Sequence, residues 1–228
     1  SIDLIVEQSK ECSLEVTAPA EYMENIITEV NNGQLSIYIE GSIRYSGSMT
    51  IHIQVKELSK IILTGSGDFE TAGKITTPEL LFRMSGSGDM IADFNCPVVN
   101  GSLSGSGDAQ ISGITKHLDI QQSGSGDLIA TELFLLTAKL RMNGSGDCKF
   151  KGNSDDFDLT QSGSGDFSGR DFEVENAQIR KTSSGDTRVV VVKNIETSIS
   201  GSGDLYYSGN PSFQKISITG SGDIIKLK

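Results

Sequence analysis

The chain has 228 residues, of which 26 are glycine, 4 are proline and none is tryptophan. Glycine at this level without a Gly-X-Y period excludes collagen, and no run approaches about 18 consecutive apolar residues, so no transmembrane helix is expected. A formal net charge of −11 sets the chain against phosphate backbones and anionic lipid, which excludes nucleic acid and leaves cations, cationic surfaces and neutral glycans.

The chain opens SIDLIVEQ, with neither an initiator Met nor a basic segment followed by an apolar one. Any targeting segment is therefore expected to lie upstream and to have been removed. Leu35, Ile37 and Ile39, then Ile51, Ile53 and Val55, alternate with polar partners, and Asn32-Gly33 between such runs signals a turn. Residues 1–60 read as irregular first coils or a cap over the same core as 61–228, giving one domain over 1–228. Cys12, Cys96 and Cys148 fall at no metal-ligand spacing and read as small buried hydrophobes.

From residue 61 the chain repeats. Gly-Ser-Gly-Asp starts at Gly65, Gly86, Gly105, Gly124, Gly144, Gly163, Gly201 and Gly220, and a degenerate copy reads Ser183-Ser184-Gly185-Asp186. The aspartates are Asp68, Asp89, Asp108, Asp127, Asp147, Asp166, Asp186, Asp204 and Asp223, spaced 18 to 21 residues apart. Ahead of each motif, polar and apolar residues alternate. Ile61, Phe82, Ile120, Leu140, Leu159, Ile179 and Ile216 form an expected inward column, and Arg83, Arg141 and Arg180 lie in an outward one. Pro78, Pro97 and Pro211 mark a second corner, and the run Val189 to Val192 suggests a strand covered on both faces.

A period of 19–20 residues with short strands and fixed corners predicts an all-β fold, one coil of a parallel β-solenoid per repeat. The crossover rule favours a right-handed helix. A glycine-rich antiparallel barrel is the alternative. The segment Asn31 to Ile37 together with the reiterated Ser-Gly-Ser-Gly-Asp resembles the auto-transporter adhesin head GIN domain family over essentially the whole chain. That resemblance implies a right-handed parallel β-helix in an exported bacterial envelope protein, often behind a signal peptide or lipid anchor, and no established activity.

The motif glycines are expected to provide positive φ and close backbone approach at a sharp turn. The nine aspartates then stack about 4.8 Å apart, where like charges repel by about 1 kcal/mol per neighbour in water. Amide donors, shared protons or bound cations must offset this. A structural turn ladder is the favoured reading, ahead of a calcium-binding ladder, whose known nonapeptide pattern has a different spacing, and of catalytic carboxylates. No cofactor is expected.

Solenoids also host polysaccharide-cleaving enzymes. Here Asp155-Asp156 is the one paired-aspartate site besides isolated carboxylates, and it reads as a solvated turn. His52 and His117 have no catalytic company, and no Ser-His-Asp set, phosphate loop or Cys/His metal set is present. The expected function is a non-enzymatic adhesin head or structural rod of the envelope or surface, its partner a host or matrix protein or a glycan. The alternative is a polysaccharide-binding or polysaccharide-cleaving solenoid. The degenerate turn at Ser183 is expected to adopt a different local geometry while Asp186 stays in the ladder.

Overall fold

A computed structural model describes residues 1–45, 47 and 49–227. Its centre is a stack of six long strands, β10 (Met90–Leu103), β11 (Ala109–Gln122), β12 (Leu128–Met142), β13 (Cys148–Gln161), β14 (Phe167–Lys181) and β15 (Thr187–Ile199). Each pairs in parallel with the one before and the one after. Every one of these strands begins on the residue after a motif Asp and ends just before the residue that precedes the next motif, a hydroxyl everywhere but at Asn143. One strand is therefore nearly one coil, and the whole is a β-solenoid of about 9 turns.

The long strands slip register along their middle: between Asp93 and Cys96 and again between Cys96 and Val98, between Ile114 and His117, between Ala130 and Leu133, and in β14 between Gly169 and Glu173 and between Val174 and Asn176. This irregular stretch is the second corner, and Pro97 lies in it. Positive φ occurs here. Gly73, Gly113, Gly152 and Gly209, each five residues after a ladder aspartate, have φ of 102°, 80°, 133° and 93°, and Glu132 takes the same place at 52°. The motif glycines are not among the residues with positive φ. The expectation that they serve as left-handed turn residues is thus corrected.

Alternation puts one side of every strand inside. Ile61, Phe82, Ile120, Leu140, Leu159 and Ile179 form a stacked inward column and are all buried. Large and small residues interdigitate along the stack. A Cβ at Gly101 would sit 2.3 Å from the ring of Phe82, so this glycine makes room for its neighbour's aromatic. Phe150, Phe157, Phe167 and Phe172 cluster at centroid separations of 5.1 to 6.2 Å, with Ala138 and Ala177 flanking Phe157 in register. This is the volume matching a close-packed core requires.

Three expectations are corrected. Ile216 keeps the inward register, opposite Thr197, but is 52% exposed because its strand β17 (Ser212–Ile218) pairs on one side, with β15. Val189 and Val191 are buried while Val192 is exposed, so this run alternates like its neighbours instead of being covered on both faces. Cys12 is exposed; Cys96 and Cys148 are buried, and burial pushes both thiols up in pKa.

At the N-terminal end, β1 (Ile2–Gln8) inserts in parallel between β5 (Met49–Val55) and β7 (Phe69–Thr71), and β2 (Ser13–Thr17) lies antiparallel on β5. A hairpin of β3 (Ile26–Asn31) and β4 (Gln34–Ile39) turns through Asn32 and Gly33, both at positive φ, as a two-residue hairpin turn requires. Ile26, Leu35 and Ile37 pack against the solenoid core.

Candidate functional site

The first glycine of each turn is required by stacking. A Cβ at Gly105 would lie 1.9 Å from the carbonyl oxygen of Gly86, and one at Gly124 the same distance from that of Gly105. The contacts repeat at Gly86, Gly144, Gly163, Gly201 and Gly220, all at or below 2.0 Å. Gly65 opens the series and meets only its own turn, with nothing nearer than 4.0 Å. The second glycines are equally close: Gly107 faces the oxygen of Gly88 at 2.0 Å. No side chain fits between coils that approach this closely.

The backbone hydrogen bonds explain the aspartate. The first-glycine carbonyl accepts from the serine N–H of the next coil, as in Ser106 to Gly86 and Ser125 to Gly105, both 3.0 Å. In the coils of Gly126 and Gly165 the second-glycine carbonyl has turned inward, accepting from the buried amides of Gln122 and Gln161 at 2.7 Å. It is thus withdrawn from the ladder, and the Asp N–H of the next coil needs another acceptor. The carboxylate provides it. Each of the nine motif aspartates donates its backbone N–H to Oδ1 of the aspartate one coil earlier, at 2.7 to 3.1 Å. A charge-assisted bond of this kind contributes about 1.5–3 kcal/mol, more than the repulsion between exposed neighbours.

The ladder begins one rung earlier than the repeat. Asp68 donates to Asp3, and a Cβ on Gly67 would lie 1.7 Å from the oxygen of Ile2. Asp3 occupies the same place as the motif aspartates, with Ile2 where they have the second glycine. The missed signal is the alternation of Leu4 and Val6 after it, which matches Phe69 and Thr71 in register.

One oxygen per carboxylate remains. Asp166 and Asp186 lie beside Arg188, at 3.8 and 3.2 Å, and the Arg188 guanidinium also stacks on Tyr206. Tyr206 donates to Asp204 Oδ2. The Asp223 N–H and then the Tyr206 hydroxyl hold the Asp204 carboxyl below its ordinary pKa. The carboxylates run in single file, and among the described residues no three acidic, histidine or cysteine side chains converge as a metal cage. Beside the ladder, the serines and glycines of five successive turns form a shallow polar groove of about 850 Å³.

The degenerate turn is different inside. Ser183 is buried, its hydroxyl donating to the Gly185 carbonyl, and the bond from the second serine to the first glycine of the coil before is absent there among the described residues. Asp186 still bonds Asp166 at 2.7 Å. Beneath this turn lies Lys181, 1% exposed, donating to the Gly185 carbonyl, Gln161 Oε1 and Thr187 Oγ1. Burial lowers its pKa to about 8, against the opposing pull of Asp186 and Asp166.

The remaining candidates are dispersed. His52 is exposed on β5, and His117 Nδ1 pairs with Thr137 at 2.8 Å. Asp155 and Asp156 lie within β13, not in a loop, and Asp156 accepts from Asn176. Arg83, Arg141 and Arg180 do share a column through their register, but Arg141 and Arg180 are engaged by Asp119 and Asp158. No helix among the described residues is long and apolar enough to cross a membrane.

No curated protein matches the chain. Solved structures do. A "putative lipid binding protein" from Parabacteroides distasonis ATCC 8503 is 27% identical, with a TM-score of 0.67 over 100% of this chain and 89% of that one. A "putative adhesin" of the same organism is 21% identical, with a TM-score of 0.71 over 99% and 89%. A "putative adhesin" from Parabacteroides merdae ATCC 43184 is 19% identical, with a TM-score of 0.71 over 100% and 88%. The last two bear on the fold alone. The model of the family described as "Putative auto-transporter adhesin, head GIN domain" matches residues 1–148 and 132–211, and the chain belongs to that family.

Proposed function

We propose that this protein is a non-enzymatic adhesin head, a stiff rod of the bacterial envelope or surface that presents repeated polar groups to a partner. The observation that carries the reading is the ladder itself. Nine turns are locked at every coil by an amide–carboxylate bond, which commits the recurring aspartate of the repeat to rigidity. A rigid scaffold loses little conformational entropy on binding, which suits a contact surface. Family membership supports the same reading. The neighbour named for lipid binding shares the fold, but the larger groove on this solenoid is lined by serines, glycines and Asn143, which do not suit an acyl chain.

The test is adhesion of beads carrying the purified protein to surfaces coated with collagen, fibronectin, mucin or epithelial cells. Retention well above albumin-coated beads on at least one surface is the expected result. Background retention on all of them would overturn the adhesin reading. Release of new reducing ends from polygalacturonate or other polysaccharides would overturn its non-enzymatic part.

A further inference from the structure

A second groove, of about 310 Å³, runs along the flank just past the second corner, across β12 to β15 and onto β17. One wall is a continuous amide ladder. Asn176 donates to Asp156 at 3.0 Å, Asn194 to Asn176 at 2.9 Å, and Gln214 to Asn194 at 3.0 Å. Each amide spends one of its two N–H donors in the ladder and retains the other. The facing wall, two residues further along each strand, carries Lys139, Asp158, Gln178 and Glu196. Gln178 donates to Glu196 at 3.4 Å, and Asp158 accepts from Arg180 with one oxygen. Between the walls, Ala138, Phe157 and Ala177 point into the core, so the floor is backbone.

We propose that this groove binds a neutral, hydroxyl-rich polysaccharide lying along the solenoid axis. The inference rests on the adhesin reading and names the ligand class for it. Both walls set amide N–H donors beside carboxylate acceptors, an arrangement that suits hydroxyls, which both donate and accept. The walls repeat every coil, about 4.8 Å, so they suit a polymer that offers the same groups repeatedly. Asp158 is paired with Arg180 at 3.0 Å and Glu196 with Lys215 at 3.9 Å, and Lys139 stands against Asp156, so the groove is close to charge-balanced and offers a polyanion no net attraction. The side chains that rise from its walls are polar or charged, and Phe157 lies buried beneath them. A peptide adding as a strand needs a free sheet edge, and β12, β13 and β14 are each paired on both sides here.

The test uses the full chain in a binding panel of dextran, mannan, galactomannan, polygalacturonate and an extended polar peptide. It is repeated with Lys139→Trp, which fills the groove from an exposed position, and with Gln178→Ala, which trims a half-buried one; melting temperature is the control for folding. Binding to a neutral member, weakened about tenfold or more by Lys139→Trp and also reduced by Gln178→Ala, is the expected result. Glycan binding that both variants leave intact would place the ligand elsewhere and overturn the inference. Preference for polygalacturonate or the peptide would overturn it too. Absence of glycan binding by beads that still adhere to collagen or fibronectin would overturn the groove and leave the adhesin reading standing. Failure of both assays would remove both.

Discussion

The backbone N–H of Asp147 donates to Oδ1 of Asp127, one coil earlier, across 2.7 Å. The side chain here stands in for a main-chain carbonyl, because the carbonyl of Gly126 has turned inward to meet Gln122. Parallel pairing is thereby carried through a turn tight enough to break it. The stripe of carboxylates that dominates the charge of the chain is a by-product of that bond.

Replacement of Asp127 separates charge from acceptor. Asp127→Asn keeps an oxygen for Asp147 and removes repulsion with Asp108 and Asp147, so a stability change within about 1 kcal/mol is expected. Asp127→Ala leaves an N–H without its acceptor and should cost about 1–2 kcal/mol. Urea melts of the two variants check the order. With Oδ1 committed to an amide, chelation should leave the melting temperature of the wild type unchanged. A rise with millimolar calcium, reversed by chelator, would make the ladder a metal site.

The period and the inward column of Leu140 and Leu159 were legible because alternation and spacing are local in sequence. What the glycines do was not. Positive φ and close packing both select glycine, and sequence does not separate them. The structure assigns close packing alone to Gly105 and both close packing and positive φ to Gly113. Asp3 was hidden for a related reason. Its rung is completed by a strand that pairs across 65 residues of chain, and Ile2 stands where the repeat has its second glycine. The amide groove was also invisible, since Asp156, Asn176 and Asn194 are neighbours only through register.

Glu132 holds φ of 52° where Gly113 and Gly152 serve in adjacent coils. A non-glycine residue there costs about 1 kcal/mol. Its ion pair with Lys74, 3.1 Å long and well exposed, returns little. Glu132→Gly should therefore stabilise the protein by about 0.5–1 kcal/mol, read as a higher denaturation midpoint with an unchanged slope. An unchanged or lower midpoint would mean that the corner has adapted to its glutamate.

Thr197 sits in the inward column between Ile179 and Ile216, and its hydroxyl is buried without a hydrogen-bond partner among the described residues. Thr197→Val removes the unmatched polar atom at nearly constant volume. A gain of about 1 kcal/mol or more is expected, measurable by calorimetry. A loss would show that the hydroxyl is satisfied in solution.

Lys181 gives the fold a specific response to alkali. Its pKa is about 8 when folded and 10.5 as the free side chain, so between these values the unfolded chain binds more protons than the native one. The cost of burying the charge is fully present below about pH 8, and its relief makes stability rise with pH up to about 10.5. Met84 and Met142 occupy the same inward position in other coils, which makes Lys181→Met the matching control. Wild type minus variant should become more favourable by up to about 3 kcal/mol from pH 7 to pH 10.5, and the variant should be the more stable protein at neutral pH. The difference cancels the opposing titration of the tyrosines. A pH-independent difference would show that the three acceptors around Nζ, at Gly185, Gln161 and Thr187, hold the ammonium as firmly as water does.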